Sequence, residues 1–158
     1  MREPGFWYGP PSPMSRLLSW LLTPVSIVYG GITARRMMRS GQHTDVPVFC
    51  VGNYHVGGAG KTPTTLALAK ILSGMDETPF VVSRGYGGRT TKPTRVDPVR
   101  HAAADVGDEP LMMSSHVPVI VARDRVAGAI LARSEGASVI VLDDGFQNPA
   151  LLKDASLI

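Results

Sequence analysis

Lys61 and Thr62 close the segment GNYHVGGAGKT, residues 52–62, in which Gly57, Gly58 and Gly60 are spaced for phosphate binding. Glycines let successive backbone N–H groups curl around phosphate oxygens. A helix that begins at the lysine adds the partial positive charge of its first turn. The ammonium of such a lysine neutralises the β and γ phosphates, and the neighbouring hydroxyl holds magnesium. Val56, Gly57, Gly58, Ala59, Gly60, Lys61 and Thr62 are therefore the candidate nucleotide-binding residues, and Lys61 is also a candidate for catalysis. One position departs from the G-x-x-x-x-G-K-[ST] pattern: His55 stands where its first glycine belongs. A second signal is the pair Asp143 and Asp144 at the end of the apolar run SVIVLDD. Carboxylates at such a strand end bind magnesium directly or through water, so Thr62, Asp143 and Asp144 form the candidate metal set. Gln147 follows the turn at Gly145 and is able to orient a phosphate, a water or a substrate group. Asp108 is able to cap a helix.

These residues need a scaffold, and the chain alternates apolar runs with helical patterns. VPVFCV (46–51), PFVVS (79–83), PVIVA (118–122) and SVIVLDD (138–144) read as strands buried on both faces. Residues 61–73 read as a helix stopped by Gly74, and 124–135 as another that ends at Gly136. A third begins with Asp108 as its cap and runs through Ser115, with Pro110 tolerated in its first turn. Residues 85–105 read as one long loop, and Leu157–Ile158 as the start of a further strand. This alternation predicts an α/β fold, a parallel sheet with helices on both faces. Ligands of such sheets sit at the carboxyl ends of the strands, where the phosphate loop and the Asp pair both fall.

Composition bounds the rest. The 158 residues are 44% hydrophobic and 18% charged, which excludes a disordered chain. Cys50 is the only cysteine, so there is neither an internal disulfide framework nor a four-cysteine zinc site. The net charge of +3 belongs to the front: residues 1–44 carry five arginines against Glu3, while residues 45–158 are close to neutral. The neutral part has no nucleic-acid footprint. Residues 17–34 carry no charge and hold Trp20 and Tyr29, ring types favoured at a membrane interface. Arg35, Arg36 and Arg39 follow, as suits an anionic cytoplasmic surface. Pro24 interrupts this run and Gly30–Gly31 loosens it. The division expected is a membrane-associated helical segment over 1–44 and a P-loop domain over 45–158. The alternative for the front is an ordinary buried helix pair broken at Pro24.

VPVFCVGNYHVGGAGKTP, SRGYGG, VGDEP, PVIVARDR and DDGFQ, in this order, closely resemble the tetraacyldisaccharide 4'-kinases, the lipid A 4'-kinases of Gram-negative bacteria. PGFWY and LLTPVSIVYG at the front resemble their N-terminal membrane-associated helix. The resemblance implies an ATP- and magnesium-dependent kinase at the cytoplasmic face of the inner membrane. Its acceptor would be the 4'-hydroxyl of a tetraacylated glucosamine disaccharide 1-phosphate. Asp108 matches the catalytic base, with Glu109 beside it, and Asp143 and Asp144 match the magnesium pair. Arg84 and Tyr86 of SRGY, Arg123 and Arg125 of ARDR, and Gln147 match positions around the phosphates and substrate. Asn148 stands where the family often has histidine. Family members run to roughly twice this length as two domains, so the resemblance places this chain in their N-terminal half, with the second lobe outside it. Two rival readings remain at this stage. One is a membrane-tethered P-loop NTPase that uses water, and the other is a nucleotide-binding module without activity.

Overall fold

The computed structural model of the chain describes residues 13–37, 41–53 and 60–158, which fall into two units, Met1–Met38 and Arg39–Ile158. The first unit is one helix, α1 (Pro13–Met37), which runs without a break through Pro24. Proline inside a helix removes a hydrogen bond and costs about 3 kcal/mol. Here the hydroxyls of Thr23 and Ser26 supply added bonds to the carbonyls of Ser19 (2.7 Å) and Thr23 (2.8 Å), on either side of the gap. The expected interruption at Pro24 is therefore corrected to a continuous helix. Its Leu17, Leu18, Trp20, Leu21, Val25, Ile27, Val28 and Tyr29 are all exposed. The stretch Ser15–Arg35 is long and apolar enough to cross a membrane.

The second unit is built on six strands: β1 (Val48–Val51), β2 (Pro79–Ser83), β3 (Thr94–Arg95), β4 (Val119–Val121), β5 (Val139–Asp143) and β6 (Ala155–Leu157). Their order across the sheet is β3-β4-β2-β5-β1-β6, and every pairing is parallel except β3 with β4. The helices are α2 (Lys61–Ser73), α3 (Ala103–Val106), α4 (Asp108–Met113) and α5 (Arg125–Ser134). Residues 41–44, grouped above with the front segment, go with this second unit: Gln42 bridges Leu151 and donates its N–H to Ala150 O at 2.8 Å.

Strand residues alternate between two faces. Phe80, Val82, Ile120, Ile140, Leu142, Val48 and Cys50 point to one face and form a core with Ala129 and Ala132 of α5. Val81, Val119, Val121, Val139, Val141 and Val51 point to the other and pack on Ala69 and Leu72 of α2 and Met113 of α4. Both faces are thus covered, which is why β2, β4 and β5 are buried at every position. The region 85–105 departs from expectation, since it contains β3 and α3. Two strand residues are too few to leave a period in the sequence. They are held by geometry instead: Arg95 sits over the Phe80 ring at 5.7 Å and pairs with Glu135 at 2.6 Å.

Candidate functional site

Alternation decides which side chains meet at the carboxyl end of the sheet. Ser83 ends β2 and Asp143 ends β5, and the register Val82↔Leu142 sets them side by side. Both have the parity of the α2 face. Ser83 Oγ donates to Asp143 Oδ2 at 3.2 Å, and Thr65 Oγ1 from the second turn of α2 reaches Asp143 Oδ1 at 3.5 Å. Asp143 is only 4% exposed. Burial pushes its pKa up from the ordinary value; the Ser83 bond works against this, and the charges of Glu109 and Asp144 add to it.

The next residue behaves differently. Asp144 leaves the strand with a left-handed φ of 53° and is exposed, and its N–H donates to Val51 O at 3.0 Å. That bond ties the end of β5 to the end of β1, the strand that feeds the phosphate loop. From there Asp144 Oδ1 meets Lys61 Nζ at 2.9 Å. Gly60, in the left-handed region at φ 77°, is the residue before α2, and its carbonyl accepts Thr64 Oγ1 at 2.9 Å. Thr62 Oγ1 donates to Glu109 Oε1 at 3.1 Å, so the first turns of α2 and α4 abut. Lys61, Thr62, Glu109, Asp143 and Asp144 therefore form one constellation. Val56, Gly57, Gly58 and Ala59 lie outside the described residues.

Asp108 is the first residue of α4 and is exposed, one position before Glu109. The expectation that it caps the helix is corrected. Gly107 occupies the cap position at φ 95° and Asp108 makes no capping bond, so its carboxylate is left for other work. The helix ends at Met113 rather than Ser115. Gly85 explains how this corner is held. It has φ 69°, and a Cβ there would run into the Val121 side chain and lie 2.9 Å from Val106 O. The segment that carries Arg84 and Tyr86 is thereby pressed onto the end of α3, two residues before Asp108. Arg84 and Tyr86 themselves are exposed, as are Arg123 and Gln147.

A chain built this way has known counterparts. The family model described as LpxK, tetraacyldisaccharide-1-P 4'-kinase, matches residues 18–158. The chain belongs to the tetraacyldisaccharide-1-P 4'-kinase family. It is 66% identical over its whole length to the tetraacyldisaccharide 4'-kinase of Rhodopseudomonas palustris strain HaA2, of which it covers 46%. It is 65% identical to that of Bradyrhizobium diazoefficiens, again over all of this chain and 46% of the relative. A crystal structure of LpxK from Aquifex aeolicus in complex with ATP superposes with a TM-score of 0.76 at 33% identity, over 88% of this chain and 48% of that one. The chain thus spans about half the length of the kinases it matches.

Within this kinase-family chain, one arginine does something other than the sequence suggested. Arg125 is buried, and its guanidinium donates to Ala122 O at 2.8 Å and Asp143 O at 3.2 Å. It clamps the ends of β4 and β5 and is corrected from a substrate-facing position to a support beneath Asp143. Arg89, in the segment after β2, pairs with Asp105 of α3 at 3.0 Å. Asn148 accepts Ala150 N–H at 2.9 Å and so serves the turn. Among the site supports that sequence reasoning passed over is Ser83. Its signal was its place at the end of a strand adjacent in register to β5, and that adjacency is not written in the sequence.

Proposed function

We propose that this chain is the nucleotide-binding half of an ATP-dependent kinase. The kinase transfers the γ-phosphate to the 4'-hydroxyl of a tetraacyl glucosamine disaccharide 1-phosphate, the step that forms the 4'-phosphate of lipid A. It would act at the cytoplasmic face of the bacterial inner membrane. The observation that carries this reading is the 2.9 Å contact between Lys61 and Asp144, which joins the phosphate-loop lysine to the carboxylate pair across two neighbouring strands. An exposed ion pair of this kind is worth only about 0–1 kcal/mol. Lys61 can therefore leave Asp144 for a phosphate at small cost.

The donor set fits magnesium. Among the described residues no three His, Cys, Asp or Glu side chains form a cluster able to cage a metal. Magnesium does not ask for one, since it takes one or two carboxylates and completes its shell with phosphate oxygens and water. Thr62, Asp143 and Asp144 would hold it, and when bound it supplies neutralisation of the phosphate charge. Lys61 offsets the charge that grows on the leaving phosphates. Asp108 accepts the proton of the attacking 4'-hydroxyl as the new P–O bond forms. Arg84, Tyr86, Glu109, Arg123 and Gln147 flank the phosphates and the sugar. The apolar α1, which carries Arg35 and Arg36 near its C-terminal end, would hold the chain at the membrane where its lipid acceptor resides.

Lys61→Ala tests the assignment. In the kinase carrying this chain, the variant should lose lipid phosphorylation by about 100-fold or more, the scale of removing one fixed electrostatic contact. Thin-layer separation of labelled lipid product reads this directly. Undiminished transfer would remove the nucleotide from this loop, and ATP hydrolysis without labelled lipid would favour a water-using NTPase.

A further inference from the structure

Lys153 has no place in the chemistry above, yet its ammonium lies half-buried beneath the loop that follows the Asp pair. It donates to two main-chain carbonyls, Phe146 O at 3.0 Å and Asn148 O at 2.8 Å. These are the carbonyls on either side of Gln147, so one ammonium spans the foot of a three-residue arch with Gln147 at its apex. Among the described residues no carboxylate forms an ion pair with Lys153. Burial lowers its pKa, with only the nearby Cys50 acting in the other direction. Removing an ammonium from water is costly unless hydrogen bonds replace the hydration. The two carbonyls are the replacement seen here.

The stem of Lys153 is fixed on both sides. Leu152 N–H donates to Gln42 O at 3.0 Å. Asp154 accepts Val48 N–H on its carboxylate at 2.7 Å and returns its own N–H to Val48 O at 2.8 Å. The amine is therefore referenced to the start of β1. The arch it holds is continuous with Asp144, which is tied to the far end of β1 and reaches Lys61 beyond it. Asn148 N–H closes the arch internally on Gly145 O at 3.1 Å.

We propose that Lys153 is a positioning residue: by clasping the carbonyls of Phe146 and Asn148 it fixes the arch that presents Gln147 and sets Asp144 beside Lys61. This rests on the kinase reading above, with Gln147 and Asp144 at the phosphates. A lysine serves where a neutral donor would not, because hydrogen bonds from a charged donor are shorter and roughly twice as strong, and a single ammonium offers three donors.

The experiment compares Lys153→Met and Lys153→Arg in the full-length kinase. Lys153→Met should lower kcat by about 10- to 100-fold, the range seen when a group supporting a metal site is lost. KM for ATP should stay within about threefold, since the phosphate loop is untouched. Lys153→Arg, whose fork can reach both carbonyls, should restore most of kcat. Hydrogen exchange across residues 144–150 should quicken in the Met variant and return to normal in the Arg variant. Unchanged kcat and unchanged exchange in Lys153→Met would overturn the proposal. So would a loss shared by kcat, KM and melting temperature that Arg does not repair. If the Met variant fails to fold, Lys153→Gln takes its place: faster exchange over 144–150 with a lowered kcat supports the proposal, and wild-type values for both overturn it. If the wild-type kinase transfers no phosphate to the lipid, the kinase reading falls, and the exchange data still decide whether Lys153 holds the arch.

Discussion

Asp143 and Asp144 are adjacent in sequence and opposite in circumstance. Asp143 is buried between Ser83 and Thr65, while Asp144 is exposed and meets Lys61. Burial raises the Asp143 pKa above the ordinary 3.8. The unfolded chain releases that proton near the ordinary value and the folded chain keeps it to higher pH. Between those two points the folded state binds more protons, so stability falls as pH rises through the window. Asp143→Asn removes the effect. In metal-free protein the urea midpoint of the variant, relative to wild type, should climb as pH rises above about 4 and then level off. A difference that stays flat with pH would mean that Asp143 ionises in the fold as readily as in water. The Asp pair stands out in the sequence, because two acids that close an apolar run have no place inside a buried strand and so belong at its end. The sequence does not tell the two apart, since the difference lies in the parity of the strand and in a serine 60 residues away.

At the level of elements, the strands were legible because burial on both faces leaves unbroken aliphatic runs such as Val139–Leu142. Helix α5 was legible through its stop at Gly136, and the structure adds a cap at its start, where Asp124 accepts Val126 N–H at 2.9 Å. Three elements were misread, each for a reason. β3 has only two residues, α3 only four, and α1 passes a proline that normally ends a helix. Lys153 and Arg125 were opaque because both act on main-chain carbonyls, which carry no side-chain signature. The apposed loops at Gly85 and Gly107 offer a test at this scale. A methyl group at residue 85 meets the Val121 side chain and the Val106 carbonyl, in a backbone conformation that L-residues avoid. Gly85→Ala should therefore destabilise the fold by about 1–3 kcal/mol. It should also slow transfer more than it weakens ATP binding, because the corner that shifts leads into Asp108 and not into Lys61. Denaturant midpoints and a split of kcat from KM check both parts, and a variant as stable as wild type would refute the tight apposition.

Taken whole, the chain separates its exposed apolar helix from its candidate site. The apolar surface of α1 lies in the unit Met1–Met38, and every described site residue lies in the unit Arg39–Ile158. Deletion of residues 1–39 should therefore shift the protein from the membrane pellet to the supernatant while its affinity for Mg-ATP stays within about threefold, because the apolar helix and its arginines leave together. Sedimentation and nucleotide titration read the two halves of that claim, and a truncated protein that still pellets with membranes would refute the anchor. Inside the second unit a similar partition is made by the one-residue pleat of the strands. Ser83, Asp143 and Thr65 share the α2 face, while Phe80, Val82, Ile140 and Leu142 share the α5 face. For a lineage this is a division of mutational freedom. The α5 face can drift among aliphatic residues at a cost in stability alone, while the α2 face near the strand ends answers to chemistry as well. A saturation scan of β2 and β5 would then show tolerance that alternates residue by residue along each strand, with the two strands in step.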